Sequence, residues 1–185
     1  MTDCIYIVVT QTGTVLSRLL KRITHADYNH VSVSTDPTLN TMYSFGRKNA
    51  YNPFWGGFVM ESPHFGTFKR FSETDAVVLS LPVTKEVKGK IESRLAEMYQ
   101  NRKKYRYDTL GLLLAWGKIR YVREDAYYCS SFVLEFLKQF DLTDEEIFSK
   151  FPKPIEFLEL RGGQIVYRGK LRLYQTTKEN EDRRG

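Results

Sequence analysis

Apolar residues recur at helical spacing in the segment that begins at Cys129. They follow the cysteine at Phe132, Val133, Phe136, Leu137 and Phe140. This i, i+3, i+4, i+7 pattern is typical of a helix with one apolar face. We therefore predict an amphipathic helix that carries Cys129 in its first turn and directs its apolar stripe toward the core.

Apolar runs elsewhere in the chain predict a sheet and further helices. Strands are predicted at Cys4–Thr10, Tyr28–Ser34, Thr41–Gly46, Trp55–Glu61, Thr67–Phe71 and Ala76–Leu81, with a closing hairpin at Gln164–Tyr174 around Gly169. Helices are predicted at residues 15–24, at Thr84–Gln100 with Thr84 as the cap, at Thr109–Trp116 behind Asp108, from Thr143 through Phe151, and after Pro154. Arg47–Phe54 is predicted to be a loop. The chain has no linker or repeat, so we expect one domain over residues 1–175 and a charged flexible tail over residues 176–185.

The second and third predicted strands are expected to form a hairpin. If it closes around residues 36–40, Ser32 faces Ser44 and His30 faces Gly46. Ser44 would then share the face of His30, whereas a register slip of one residue would place it on the other face.

Composition excludes several classes of protein. With 42% hydrophobic and 14% aromatic residues, the chain is expected to be globular. No apolar run approaches the roughly 20 residues that span a bilayer, and residues 1–10 do not have the pattern of a signal peptide. The two cysteines are far apart and do not form a disulfide framework. We therefore expect a cytoplasmic protein.

The formal net charge of +6 favours acidic partners without identifying one. The densest basic run, Arg102–Arg106, is expected to be a solvated loop, with anion binding as the alternative. No nucleic-acid-binding module is recognisable, so no nucleic-acid partner is expected, while weak contact with an anionic membrane stays open. The cysteines and histidines lack paired metal-ligand spacing, and we expect neither a metal nor a cofactor.

Cys129 is a candidate nucleophile because of its predicted place at a helix start. Free backbone N–H groups and the positive end of the helix dipole favour a thiolate there, and the same N–H groups can hold an oxyanion. The alternative is core packing, since cysteine is often buried as a small apolar residue. Cys4 lies in a predicted strand, where no helix end activates it.

A nucleophilic thiol needs a base, and the chain has three histidines. His25 follows a predicted helix and His64 lies in a turn, so both are expected to be solvated. His30 instead lies on the polar face of a predicted strand. Paired with Cys129, it would take the thiol proton and later protonate the leaving group.

The segment Tyr28–Ser34, followed much later by Tyr128–Val133, resembles the circularly permuted branch of the NlpC-type papain-like cysteine peptidases, the YiiX-like group. In ordinary papain-like enzymes the cysteine helix comes first, whereas in the permuted branch a His-Val strand precedes a Cys-Ser helix, as here. The resemblance extends from Ile5 to about Phe140 and includes Tyr107-Asp108. It implies an α+β fold, with an antiparallel sheet or barrel packed against the cysteine helix.

The same resemblance assigns roles to particular residues. It implies that Cys129 is the nucleophile and His30 the general base. A glutamate on the strand after the histidine often orients the imidazole in this group, but that strand here offers Ser44, and Glu61 on the following strand is the other candidate. A serine would hold the imidazole without stabilising its charge.

Aromatic residues near these segments are candidates for substrate binding. They are Tyr128, Trp55 and Tyr107, although Trp55 and its neighbours could equally belong to the core. We expect a thiol hydrolase, a peptidase or amidase, that cleaves an amide bond in a peptide or amino-acyl substrate through a Cys129 thioester. The alternatives are a lipid-directed thiol acyltransferase or esterase, and a non-catalytic binding module on the same fold.

Overall fold

The structure, a computed structural model, describes residues 2–12, 28–49, 52–107, 126–143 and 145–174. These residues have an α+β fold with an antiparallel sheet, which confirms the α+β part of the predicted fold class. The strands are β1 (Thr2–Gln11), β2 (His30–Ser34), β3 (Met42–Asn49), β4 (Asn52–Glu61), β5 (Asp75–Thr84), β6 (Arg106–Tyr107), β7 (Ala126–Tyr127) and β8 (Gln164–Lys170). The helices are α1 (Gly66–Arg70), α2 (Lys85–Gln100) and α3 (Cys129–Lys138), with 3-10 turns at Glu145–Ile147, Pro154–Glu159 and Leu171–Leu173.

Six of the strands form one antiparallel sheet in the order β4-β3-β2-β1-β5-β8. The apolar strands β1 and β5 lie at its centre and pair along their whole length, from Thr2 opposite Thr84 to Gln11 opposite Asp75. β4 and β8 are the edges, so the described strands form an open sheet and not a closed barrel. β6 and β7 form a separate parallel pair.

Side chains alternate along each strand and give the sheet two different faces. One face, which we call the helix-covered face, packs against α2 and α3 through Ile5, Ile7, Val9, Val31, Val33, Phe45, Phe58, Leu79 and Leu81. The other face, which we call the polar-chain face, contributes Val8 and Met42 to a smaller cluster around Phe68 of α1. Val8 pairs with Ser32, and Met42 pairs with Glu61. Because paired residues share a face, both polar side chains lie on the polar-chain face.

Local sequence explains where α2 begins. Thr84 is in extended conformation, with φ −72° and ψ 154°, and its hydroxyl oxygen accepts a hydrogen bond of 3.2 Å from the N–H of Val87. This interaction satisfies one of the free N–H groups of the first turn. Ile91, Leu95 and Met98 are the buried residues of α2 and pack on the helix-covered face. The predicted helix and its cap are confirmed.

Two predictions about strands are wrong. Thr67–Phe71 is not a strand, because the residues from Thr67 to Arg70 lie in helix α1 and Phe68 is buried in the cluster of the polar-chain face. Five residues with one buried aromatic do not distinguish a strand from a helical turn. Arg47–Phe54 is not a loop, because β3 continues to Asn49 and β4 already begins at Asn52.

Predictions for the last part of the chain also need correction. Gln164–Tyr174 is not a hairpin, because Gln164–Lys170 is one strand that pairs with the edge of β5 and is followed by a 3-10 turn. Two short arms around Gly169 would form few hydrogen bonds, whereas the open edge of β5 offers a long ladder. The helix expected from Thr143 through Phe151 is reduced to one 3-10 turn at Glu145–Ile147.

Other predicted elements lie outside the described residues. These are the helices at residues 15–24 and Thr109–Trp116 and the tail at residues 176–185. The six-residue 3-10 segment Pro154–Glu159 confirms the helical turns expected after Pro154.

Candidate active site

Cys129 is the first residue of α3, as its sequence pattern predicts. The residue before it, Tyr128, is extended, with φ −105° and ψ 167°, and its N–H donates a hydrogen bond of 3.0 Å to the hydroxyl of Ser131. This hydrogen bond fixes the start of the helix. Four apolar residues of α3 are at most 2% exposed, namely Phe132, Val133, Phe136 and Leu137. They anchor the helix on the sheet, and the Cys129 side chain is itself buried, with 8% exposure.

The thiol meets the sheet at the beginning of β2. All five residues of β2 pair with β1, but β2 pairs with β3 only where Val33 lies opposite Tyr43. Near its first residue, β2 therefore has a backbone edge that β3 does not occupy. The backbone N–H of Val31 at this edge is close enough to the sulfur to lower the pKa of Cys129.

His30, the first residue of β2, lies between the thiol and a carboxylate. Its Nε2 atom is 3.0 Å from Oε2 and 3.2 Å from Oε1 of Glu61. Its imidazole lies close enough to the thiol of Cys129 for each group to shift the pKa of the other. Because Nε2 faces Glu61, Nδ1 is the nitrogen left to exchange a proton with the sulfur. The His30 ring also lies 6.2 Å from the ring of Phe68.

Two buried serines also donate hydrogen bonds to this carboxylate. Ser32 donates a hydrogen bond of 2.8 Å to Oε2 of Glu61, and Ser44 donates one of 2.7 Å to the same oxygen. Both serines are fully buried, and the Glu61 side chain is 11% exposed. Together with His30, they give one carboxylate oxygen three hydrogen-bonding neighbours.

These contacts decide the charge of the imidazole and its carboxylate. Burial by itself lowers the pKa of His30, but the charge of Glu61 and hydrogen bonds to Cys129 and Glu61 raise it from 6.5 to about 10. Burial would raise the pKa of Glu61, but the charge of His30 and hydrogen bonds from His30 and the two serines lower it below 4.5. An imidazolium paired with a carboxylate is therefore the favoured state at neutral pH.

The same electrostatics act on the thiol. Burial raises the pKa of Cys129, but hydrogen bonding with His30, the charge of His30 and the N–H of Val31 lower it below its ordinary value. The Ser130 hydroxyl, 3.9 Å from the sulfur, acts in the same direction. At the start of α3 the first backbone N–H groups have no acceptor within the helix, so they are available to a negatively charged oxygen. The arrangement brings together a thiol with a lowered pKa, a protonated imidazole and the N–H groups of a helix start.

The structure brings four of the predicted site residues together. Cys129, His30 and Glu61 form one chain of contacts, while Ser44 donates to Glu61 and not to His30. Of the two candidates for the residue that contacts the imidazole, Glu61 has that position. The pair that β2 and β3 form, Val33 opposite Tyr43, has the register predicted for the hairpin.

Ser32 is the member of this group that was not predicted as a site residue. The available indication was its position two residues after His30, which places both side chains on the same face of a strand. That indication is weak by itself, because Ser34 has the same property. Ser34 instead donates to the backbone oxygens of Asp36 and Thr41 in the hairpin turn.

Two of the three predicted substrate-binding residues lie at the same corner of the molecule as Cys129. Tyr107 in β6 pairs with Tyr127 in β7, and Tyr128 directly follows β7. Tyr107 packs against β4, where a Cβ atom on Gly56 would lie 2.5 Å from the tyrosine ring. This is the close backbone approach that a glycine permits. Trp55 belongs to β4, and its side chain is outside the described part of the structure.

A cavity of about 180 Å³ adjoins Glu61 on the polar-chain face. It is lined by Lys48, Val59, Met60, Glu61 and residues 65–68. Within the described ranges, no group of three or more His, Cys, Asp and Glu side chains could bind a metal ion. The helices of these ranges include none with the length and hydropathy needed to cross a bilayer.

Comparison with known proteins identifies no relative of this chain. No family model, no curated protein and no solved structure matches it.

Proposed function

We propose that this protein is a cysteine hydrolase that cleaves an amide bond, with Cys129 as nucleophile, His30 as acid and base, and Glu61 as the residue that orients and charges the imidazole. The observation that carries this proposal is the continuous chain of contacts from thiol to imidazole to buried carboxylate. Such a chain activates a thiol and stabilises the imidazolium beside it.

The first half of the reaction forms a thioester. The Cys129 thiolate attacks the carbonyl carbon of the substrate, and the carbonyl oxygen becomes an oxyanion that the N–H groups at the start of α3 hold. The bond between carbon and nitrogen then breaks. Protonated His30 gives its proton to the departing amine, which leaves as a neutral product.

The second half of the reaction regenerates the thiolate. His30, now neutral, accepts a proton from water, and the resulting hydroxide attacks the thioester carbon. The bond between carbon and sulfur breaks, the acid product leaves, and Cys129 returns as a thiolate beside a protonated His30. Glu61 keeps its negative charge throughout and stabilises the imidazolium at both ends of the cycle.

We propose that the protein belongs to the permuted branch of the papain-like peptidases, and the order of its histidine and cysteine segments supports this proposal. The histidine strand precedes the cysteine helix by about a hundred residues, and the sheet is antiparallel. Both features agree with the resemblance of Tyr28–Ser34 and Tyr128–Val133 to that branch. We propose a peptide or amino-acyl compound as the substrate, because the reaction needs only an amide carbonyl beside the sulfur.

Alkylation by iodoacetamide tests whether Cys129 is activated. Cys129 is more buried than Cys4, so faster labelling of Cys129 at neutral pH would reflect its thiolate and not its exposure. We expect Cys129 to be labelled well before Cys4, and His30→Ala to slow this labelling. His64→Ala is the matched control, because His64 lies in an exposed turn. Equal labelling of the two cysteines, or no labelling at Cys129, would contradict the proposal.

Intact mass spectrometry tests the chemistry itself. When amino-acyl amides and short peptides are supplied, we expect a covalent acyl adduct on Cys129 that is absent from Cys129→Ala. Adducts formed only from lipid esters would favour the lipid-directed acyltransferase or esterase. Full biological activity of Cys129→Ala would favour a binding module.

A further inference from the structure

The buried hydroxyl groups of Ser32 and Ser44 have no role in the reaction as written above. Each donates to Oε2 of Glu61, at 2.8 Å and 2.7 Å respectively, and both side chains are fully buried. Ser32 belongs to β2 and Ser44 to β3, whereas the carboxylate that they bind belongs to β4. Hydroxyls of two different strands therefore hold the carboxylate of a third.

We propose that Ser32 and Ser44 are a pair of positioning residues that hold the Glu61 carboxylate ionised and fixed against His30, so that the reactivity of Cys129 depends on two hydroxyls in the sheet. This inference rests on the proposed function. It assigns to the serines an action through Glu61 and His30 and no contact with the substrate.

The geometry of the carboxylate is the first support for this inference. An ionised carboxylate can only accept hydrogen bonds, while a protonated one must donate. Oε2 faces three neighbours, the two hydroxyls and Nε2 of His30 at 3.0 Å. A proton on Oε2 would need one of these hydroxyls to accept instead of donate, and the hydrogen of that buried hydroxyl would then need a new acceptor. The serines therefore favour the charged form of Glu61.

The second support is the difference between these serines and the next one on the same face. Ser34 is also fully buried in β2, but its hydroxyl donates to backbone oxygens of Thr41 at 2.6 Å and Asp36 at 3.0 Å. Backbone acceptors were therefore sufficient to satisfy a buried serine at this position. Ser32 and Ser44 instead share a charged acceptor, and hydrogen bonds to ionised groups are stronger than neutral ones.

A purely structural role makes a different prediction from a positioning role. If the carboxylate only satisfied the hydroxyls, loss of the hydroxyls would change stability and leave the chemistry of the thiol unchanged. If the serines hold Glu61 charged, their loss weakens the field on His30 and raises the pH at which Cys129 becomes a thiolate. The pH profile of alkylation separates the two roles.

The experiment measures the rate of alkylation of Cys129 by iodoacetamide from pH 5 to pH 10, in a Cys4→Ala background that leaves one thiol. The variants are Ser32→Ala, Ser44→Ala and the double variant, with Ser34→Ala as the matched control. We expect the midpoint of the pH profile of alkylation to move up by about one pH unit in the double variant. At pH values below the midpoint, this shift lowers the alkylation rate about tenfold. Each single variant should move less, Ser32→Thr should restore the hydroxyl and the profile, and Ser34→Ala should keep the parent profile.

The outcomes separate this inference from the proposed function. A parent protein whose alkylation begins only near the ordinary pH range of a free thiol would overturn the proposed function and this inference with it. A parent with an early midpoint, together with serine variants that fold and keep that midpoint, would overturn this inference alone. Circular dichroism and thermal unfolding establish whether each variant is folded. If the double variant does not fold, the pH profiles of the single variants decide the question.

Discussion

At β2, β3 and β4 one face of the sheet is apolar and the other carries polar side chains, although both faces are built from alternating residues of the same strands. On the helix-covered face, Phe45 and Phe58 pack with the ring of Phe132, each pair of ring centres being 5.3 Å to 5.5 Å apart. On the polar-chain face, Ser44 and Glu61 bind each other at 2.7 Å. Ser44 and Phe45 are neighbours in sequence and serve these two different environments.

This difference separates the source of stability from the source of reactivity. Burial of aromatic and aliphatic side chains on the helix-covered face is favourable in proportion to the apolar area removed from water. Burial of a carboxylate and an imidazole on the other face is costly unless both are paired and hydrogen-bonded. Under the proposed function the polar groups act on Cys129, and we expect substitutions on the two faces to have different consequences.

The largest effect on stability is expected from Leu95→Ala. Leu95 in α2 is 1% exposed and belongs to the cluster of the helix-covered face. The substitution removes buried carbon atoms and leaves a cavity, which lowers the free energy of unfolding by about 2–5 kcal/mol. Urea denaturation measures this loss. The alkylation rate of Cys129 in the folded protein should stay unchanged, and a parallel fall in that rate would show that the two faces are coupled.

The next largest effect is expected from Glu61→Gln. The amide keeps the shape of the carboxylate but removes its charge, so His30 loses the group that raises its pKa to about 10. We expect alkylation of Cys129 at pH 7 to slow by about tenfold or more, which corresponds to at least one pKa unit. Imidazole chemical shifts in NMR spectra, recorded against pH, should show a neutral His30 in the variant and a protonated one in the parent.

The stability difference between parent and Glu61→Gln should depend on pH in a defined way. The folded pKa of His30 lies above 6.5, so its contribution is complete below pH 6.5 and is lost as the pH rises toward about 10. The folded pKa of Glu61 lies below 4.5, so its contribution is complete above pH 4.5 and is lost as the pH falls further. The stability difference should therefore be largest between pH 4.5 and pH 6.5. A difference that does not vary with pH would contradict the assigned charges.

The sequence predicts those parts of the molecule that depend on local patterns. The period of apolar residues located α3 and its first residue Cys129, and a threonine before an apolar helix located the cap of α2. The turn after Ser34 favoured one register of the β2–β3 hairpin with a slip of one residue left open, and the pair Val33 opposite Tyr43 decides between them. These features arise from residues that are close in sequence.

The parts that could not be predicted depend on contacts between distant residues. Glu61 lies 31 residues after His30, and its reach toward the imidazole depends on how β4 pairs with β3. The sequence alone therefore does not decide between Ser44 and Glu61. The sequence wrongly predicts a strand at Thr67–Phe71, because five residues do not distinguish the periods of a strand and a helix, and the packing of Phe68 in its cluster depends on distant residues.

The smallest effects are expected from two glycine substitutions that compare the polar-chain face with a surface helix. A Cβ atom on Gly46 would lie 3.1 Å from Oε1 of Glu61 and 3.3 Å from the hydroxyl of Ser44. Gly46→Ala should therefore crowd the polar contacts and slow alkylation of Cys129, although by less than Glu61→Gln, since the charge remains.

Gly89→Ala is the matched control, because Gly89 lies in α2 and a Cβ atom there would meet no heavy atom within 4 Å. Alanine is favoured over glycine in the interior of a helix, so the free energy of unfolding should rise by about 0.5–1 kcal/mol. The alkylation rate should not change. If Gly46→Ala also left that rate unchanged, the Glu61 carboxylate would have room to move away from the added methyl group. The polar contacts around Glu61 would then not be rigid, contrary to the comparison of the two faces made above.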